Sequence, residues 1–385
     1  MRRPAVIAAA AGLAAALALA PAAAGSRFMQ HGIFDDAQVL FGNPDVVFPT
    51  LQTLNTKVLR VNLWWGGPFG VADQRPARAT SPLDPAYDWS TYDRTVRYAA
   101  AHGIKVVFSI LGTPPWANGG RDQRYAPLQP RDLRDFTRAA ARRYDGTFVG
   151  PDGRTLPGVR YWIAWNEPNN PNFLQPQFRQ AGNRYVIESA RQYARICNAV
   201  VNGVRLVKRN GGKVACGATG PRGNNNPLSS RPSVSPLAFL RALKVFGAKG
   251  FDAYAHHPYY GQKQETPSTP PPPGERGQPP TAVTLGNFDA LAREVARLYG
   301  NVRLWVTEYG YQTNPPDRAF GVTPRKQREY LEEAYAILKA HPKVDMFLWF
   351  LLQDEPLLGG WQSGLLTETG KKKPAFPAFR KLGQP

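Results

Sequence analysis

From residue 29 onward, short apolar runs alternate with longer stretches in which apolar positions recur every three or four residues. The runs are Met29 to Phe34, Lys57 to Leu63, Ile104 to Leu111, Arg160 to Trp165, Lys213 to Ala218, Phe251 to His256, Val302 to Thr307 and Asp345 to Leu351. Each is mostly continuous in Val, Ile, Leu, Phe, Trp or Ala, as expected of a strand covered on both faces. Between them, Tyr92, Val96 and Ala99 form one helical stripe, which the glycine at 103 ends. Tyr330, Leu331, Ala334, Ile337 and Leu338 form another, with Thr323 placed as N-cap and Pro324 at the first helical position. A long helix is predicted over Asn183 to Asn210, and a short last one near Phe376 to Leu382.

Strands and helices taking turns imply parallel strands with right-handed crossovers, and a full set of such units closes into a single (β/α)8 barrel of the α/β class. An open doubly wound sheet is the rival. It is disfavoured because the first run and its exit, Met29 to Asp36, contain only Gly32 and no glycine-rich phosphate loop. One segment breaks the rhythm: Gly261 to Leu285, with prolines at 270 to 273, has no periodicity and too much proline for a core element. It follows the sixth strand, so it reads as a lid, a binding-site wall or a disordered insertion.

Composition changes this picture at the N-terminus. Arg2 and Arg3 precede an Ala/Leu-rich stretch from Pro4 to Ala20, and Ala22 to Ala24 offer a small-residue cleavage site. Residues 1–24 therefore read as a secretory signal peptide, and residues 25–385 as the barrel domain; the stretch is short and Ala-rich for a membrane anchor. A secreted monomer is expected, free of the membrane after cleavage. The formal charge is +20, and +18 without Arg2 and Arg3. That charge suits anionic glycans or nucleic acid, but the arginines are spread through the helical segments rather than gathered in a patch, and no nucleic-acid-binding motif is present. Cys197 and Cys216 are an even pair in a chain read as exported, so a disulfide is possible.

The candidate chemistry lies at two strand ends. Tyr161-Trp162-Ile163-Ala164-Trp165 stops on Asn166-Glu167, and Pro168 forces the chain out of the strand. Val302 to Thr307 repeats the device with Glu308, followed by Tyr309-Gly310. In a parallel barrel all strand C-termini open on one face, so both carboxylates look into one bowl. Two such carboxylates suit glycoside hydrolysis, where one protonates the leaving oxygen and the other attacks the anomeric carbon or activates water. Six of the nine tryptophans, Trp64, Trp65, Trp116, Trp165, Trp349 and Trp361, fall at or just beyond strand C-termini, where flat apolar rings suit the C–H faces of sugars.

The Trp165-Asn166-Glu167-Pro168-Asn169 run, with Thr307-Glu308-Tyr309-Gly310, resembles the retaining (β/α)8 glycoside hydrolases of the 4/7 superfamily (clan A) over essentially the whole predicted mature chain. It is most similar to the xylosidase/iduronidase-like and cellulase-like families. The resemblance implies that Glu167 is the general acid/base and Glu308 the nucleophile. It implies that Asn166 bonds the sugar 2-hydroxyl, Arg60 keeps the nucleophile anionic, and Tyr259, in the His257-Pro258-Tyr259 pattern, donates to it. Trp349 would be the platform under the sugar; Trp116, from its place just beyond a strand end rather than from the resemblance, is a further candidate substrate contact, as is His257. The substrate class is a β-linked oligo- or polysaccharide, with no cofactor.

Rival chemistries have less support. His256 and His257 lack a third histidine or cysteine at ligand spacing, so no metal is expected. Ser229 and Ser230 have no nucleophile-elbow context. Asp35, Asp36, Asp354 and Glu355 also sit near strand ends, where loop solvation is the default. A non-catalytic glycan-binding barrel is the alternative function, since fold alone does not prove turnover.

Overall fold

The computed structural model describes residues 25–274, 277–357 and 359–384. The candidate signal peptide, residues 1–24, lies outside them. Eight parallel strands close into a barrel: β1 (Gln30–Phe34), β2 (Val58–Trp64), β3 (Lys105–Leu111), β4 (Tyr161–Ala164), β7 (Lys213–Thr219), β8 (Ala253–His256), β9 (Arg303–Tyr309) and β10 (Val344–Phe350), with β10 pairing back onto β1. The two numbers skipped belong to an antiparallel hairpin outside the barrel, β5 (Phe178–Ala181) and β6 (Arg184–Ile187).

A helix follows each barrel strand: α1 (Pro44–Thr53), α2 (Ser90–Ala101), α4 (Pro130–Arg143), α5 (Glu188–Arg205), α6 (Pro236–Val245), α7 (Phe288–Tyr299), α8 (Pro324–Ala340) and α9 (Ala375–Lys381), with a one-turn α3 (Pro115–Asn118) inserted after β3. Local chemistry sets several starts. The Thr323 hydroxyl accepts from the Lys326 N–H at 3.2 Å and Pro324 fills the first helical position of α8. Asn43 caps α1 in the same way, from Asp45 N–H at 3.0 Å.

Two cores result, as the strand alternation requires. Inside the barrel lie Val58, Val107, Ile163, Ala215, Ala253, Ala255, Trp305, Met346 and Leu348. The alanines of β7 and β8 leave room for the Trp305 indole, which meets the Tyr161 ring edge-on at 5.7 Å between centroids. The larger core lies between strands and helices and includes Phe108, Trp162, Tyr193 and Phe347. A disulfide joins Cys197 of α5 to Cys216 of β7, so the possible pair is formed and pins a helix to its strand.

The helix predicted over Asn183 to Asn210 needs correction at both ends. Its first residues form β6, because Gly182-Asn183 makes a two-residue hairpin loop with Gly182 at φ +61°. Its last residues, Lys208–Asn210, form a separate 3-10 turn. The proline-rich segment after β8 is held against the barrel top. Gly261 N–H donates to Glu265 Oε2 (2.6 Å), Tyr311 Oη to the Glu265 carbonyl (2.9 Å), and Val283 N–H to the Pro221 carbonyl (2.9 Å).

Candidate active site

Glu167 leaves β4 through a distorted backbone. Trp165 has φ +68° and Glu167 φ +33°, conformations that side-chain-bearing residues avoid and that concentrate at functional sites. The distortion is held by neighbouring strands: Trp165 N–H donates to the Ile110 carbonyl and Glu167 N–H to the Ala218 carbonyl, both at 2.8 Å. Glu308 needs no such turn, because β9 continues straight through it to Tyr309. One carboxyl oxygen from each glutamate and a ring nitrogen of His257 lie within 4.8 Å of one another. The side chains are 13% and 9% exposed, so both acids sit at the floor of the bowl rather than on its rim.

Arg60 of β2 is the hub. It is fully buried, its guanidinium over the Phe34 ring at 4.2 Å. Nη1 donates to Glu308 Oε1 (2.8 Å) and the Thr307 carbonyl (3.1 Å); Nη2 donates to Asn166 Oδ1 (2.7 Å) and Ser109 Oγ (3.3 Å). Because a guanidinium only donates, the Asn166 atom facing it must be the carbonyl oxygen. The Asn166 amide N–H groups have no other partner among the described residues and are left for a ligand. Glu308 also accepts from Tyr259 Oη at 3.2 Å, so a cation and a phenol serve its two oxygens. Burial drives the Tyr259 hydroxyl well above its ordinary pKa, with Glu308 and Glu167 pushing the same way, and keeps it a donor.

The same logic fixes the tautomer of His257. Its Nε2 faces Arg60 Nη1 at 3.3 Å and Thr307 Oγ1 at 3.0 Å. Arginine cannot accept, so Nε2 is the unprotonated nitrogen, and Nδ1–H points at Glu167 Oε1, 3.0 Å away. Burial lowers the His257 pKa to about 4; Glu308 opposes this and Arg60 adds to it. The imidazole is therefore a neutral donor to Glu167. The second Glu167 oxygen accepts from Asn170 Nδ2 at 3.0 Å, an orientation fixed by Asn172 N–H donating to Asn170 Oδ1. Burial raises the Glu167 pKa, against the Asn170 hydrogen bond and the charge of Arg60.

The tryptophans divide. Trp349, expected as the sugar platform, is turned away from the bowl: it is fully buried in the outer core, and its Nε1–H donates to the Ser363 carbonyl at 2.8 Å. Alternation along β10 puts Met346 and Leu348 inside the barrel, and the next position in that series is Phe350, which is half-buried. Trp65 and Trp165 are likewise buried, the latter through Nε1–H to the Phe173 carbonyl. Trp116 is half-buried against Trp65, its Nε1–H on the Ala72 carbonyl, with no contact to either glutamate. Trp361 is the exposed one, at 38%, with ring centroids 5.4 Å from both Tyr259 and Phe350.

Three carboxylates expected in solvent are not: Asp36 accepts from Asn62 N–H at 3.0 Å, and burial raises its pKa to about 7. Asp35 is buried and accepts from the N–H groups of Gln38, Leu352 and Gln353, burial raising its pKa to about 6. Asp354 pairs with Lys373 Nζ at 2.7 Å, both side chains nearly inaccessible. The sequence reading missed Asn170, Thr307, Ser109 and Gly220. Gly220 is needed because a Cβ there would lie 2.9 Å from Glu167 Cδ. Asn170, three residues past Glu167, and Thr307, directly before Glu308, carried a local signal.

Among solved structures the chain is similar to a family 39 glycoside hydrolase from Bacteroides cellulosilyticus WH2 (TM-score 0.61, 18% identity, 91% of this chain and 62% of that one). It is also similar to a glucosidase from Croceicoccus marinus (0.63, 15%, 94% and 68%) and a monomeric β-xylosidase from Caulobacter crescentus CB15 (0.57, 18%, 94% and 69%). The chain shares its fold with glycoside hydrolases. It spans less than two thirds of the Bacteroides protein's length. No protein-family model and no curated protein sequence matches it.

Proposed function

We propose that the protein is a secreted retaining β-glycosidase acting on oligo- or polysaccharides without a cofactor. Glu308 attacks the anomeric carbon while Glu167 gives its proton to the departing glycosidic oxygen, leaving a glycosyl ester on Glu308. Glu167, now a carboxylate, takes a proton from water, and the resulting hydroxide displaces Glu308 at the same carbon. The observation that carries this reading is the pairing: one oxygen of each carboxyl lies within 4.8 Å of the other, on the close side of the range and nearer the roughly 5–5.5 Å separation of retaining pairs than the 6.5–9.5 Å that admits a water between them. Asn166, with its amide N–H free toward the bowl, is placed to donate to the sugar 2-hydroxyl. Trp361 and Phe350 replace Trp349 as the aromatic surface for the sugar ring. The leader pattern and the disulfide support export, since disulfides persist in oxidising compartments.

The test uses aryl β-glycosides of several sugars. Glu308→Gln is expected to abolish turnover with the fold retained. Glu167→Ala is expected to spare aryl glycosides whose leaving group needs no proton and to be rescued by azide, with a β-glycosyl azide as product. Wild-type turnover unaffected by Glu308→Gln would refute the reading, and binding of glycans with no turnover at all would make the barrel a binding module.

A further inference from the structure

We propose that the cleft running outward from Glu167 is the leaving-group subsite, and that Arg222 and Arg231 make it select an aglycone sugar bearing a carboxylate, a uronic acid. The proposal rests on the glycosidase reading and deepens it. The side of the bowl occupied by the acid is where the leaving group departs. The cleft begins there: Asn170 lines it and bonds Glu167 directly, and Gly220, where an added Cβ would stand 2.9 Å from Glu167 Cδ, starts the loop that carries Arg222. Its volume of about 580 Å³ is within the roughly 300–1,000 Å³ range of small-molecule sites.

The walls are built. Asn169 clamps the Gly220–Val234 loop, its Nδ2 donating to the carbonyls of Gly220, Arg222 and Val234 and its Oδ1 accepting from Gly220 N–H. Pro271 to Pro273 form the opposite wall, rigid and without N–H donors, an apolar surface for the C–H face of a sugar ring. This gives the proline-rich segment a role. Arg222 Nη1 donates to the Tyr260 carbonyl at 3.1 Å, which fixes the guanidinium, while Nη2 stands 3.9 Å from Glu265 Oε2, beyond hydrogen-bond distance. That carboxylate is engaged by Gly261 N–H at 2.6 Å. Arg231 lines the same cleft and is exposed, with no side-chain partner among the described residues. Two guanidinium groups against one committed carboxylate leave a net positive lining, and the planar fork of arginine matches a carboxylate through paired N–H donors.

The experiment lets an acceptor compete with water for the glycosyl-enzyme formed from an aryl β-glycoside, because an acceptor occupies the leaving-group subsite. Methyl β-D-glucuronide and methyl β-D-glucoside are compared as acceptors for wild type, Arg222→Gln and Arg231→Gln. Wild type is expected to favour the glucuronide, and each substitution to cut the glucuronide-to-glucoside ratio by about tenfold, the scale of one charge-assisted hydrogen bond. An unchanged ratio, or equal loss with both acceptors, overturns the proposal. Saturation-transfer NMR of methyl β-D-glucuronide on the same proteins reads the subsite without turnover. Arginine-dependent binding with no hydrolysis of aryl glycosides would keep the anion-binding cleft and sink the glycosidase reading; hydrolysis without any arginine dependence would do the reverse.

Discussion

Asn170→Ala is the sharpest probe of how the bowl sets the proton affinity of Glu167. In the native protein Asn170 Nδ2 donates to Glu167 Oε2 at 3.0 Å, and a donor facing a carboxylate stabilises its ionised form. Burial raises the Glu167 pKa and this hydrogen bond holds it down, so removing the donor raises it further. A hydrogen bond to a charged group contributes about 1.5–3 kcal/mol, and one pKa unit corresponds to about 1.36 kcal/mol. The Glu167 side chain is 13% exposed and water will replace part of the lost contact, so the low end applies, an upward shift of about one unit. Glu167 must be protonated to act as an acid, and the alkaline limb of kcat/KM reports that group in the free enzyme. The limb should therefore move about one unit toward higher pH. The Asn172 N–H that loses its acceptor is at an exposed turn, so the fold should survive. An alkaline limb that stays put or moves to lower pH refutes the electrostatic account.

Further outcomes follow from single contacts. Gly220→Ala forces a methyl group to 2.9 Å from Glu167 Cδ, and displacing the acid should lower kcat/KM by about 100-fold with the thermal melt nearly unchanged. Lys373→Met strands the buried Asp354 without its partner, at a cost of about 3–5 kcal/mol in urea unfolding. Reducing the Cys197–Cys216 bond, which closes a separation of 19 residues, should cost about 3 kcal/mol in the same assay.

The barrel was legible because its strands are buried on both faces, which leaves continuous apolar runs that no amphipathic helix imitates. Observed ends differ from the predicted ones by a residue or two, as in β8, which starts at Ala253 rather than Phe251. The hairpin β5–β6 was not legible in the same way: Arg184-Tyr185-Val186-Ile187 is exposed or half-buried and runs directly into α5, so the Gly182-Asn183 turn before it was the one local sign of a strand. Trp349 went astray for a different reason. Trp349 and Phe350 are adjacent aromatics at a strand end, and only the register of β10 decides which of them faces inward; a one-residue shift exchanges their faces. Asp35 could not be read at all from its neighbours, since two of its three donors, Leu352 and Gln353, lie more than 300 residues away in sequence.

The two glutamates were visible as strand-end carboxylates, but the difference between them is a property of the assembled barrel. Glu308 meets Arg60 from β2 and Tyr259 from the segment after β8; Glu167 meets a neutral imidazole and an amide. His257 joins the two environments, and Arg60 determines how. Protonating the imidazole would turn an N–H toward a guanidinium nitrogen 3.3 Å away and break the acceptor role of Nε2. Above about pH 4 the ring therefore keeps one tautomer and one donor direction, toward Glu167. The arginine beneath Glu308 thus also orients the group that contacts Glu167, although no stretch of sequence places these residues together. Substituting Arg60 would disturb both carboxylates at once, and its effect could not be apportioned between them, whereas Asn170 touches Glu167 alone of the two.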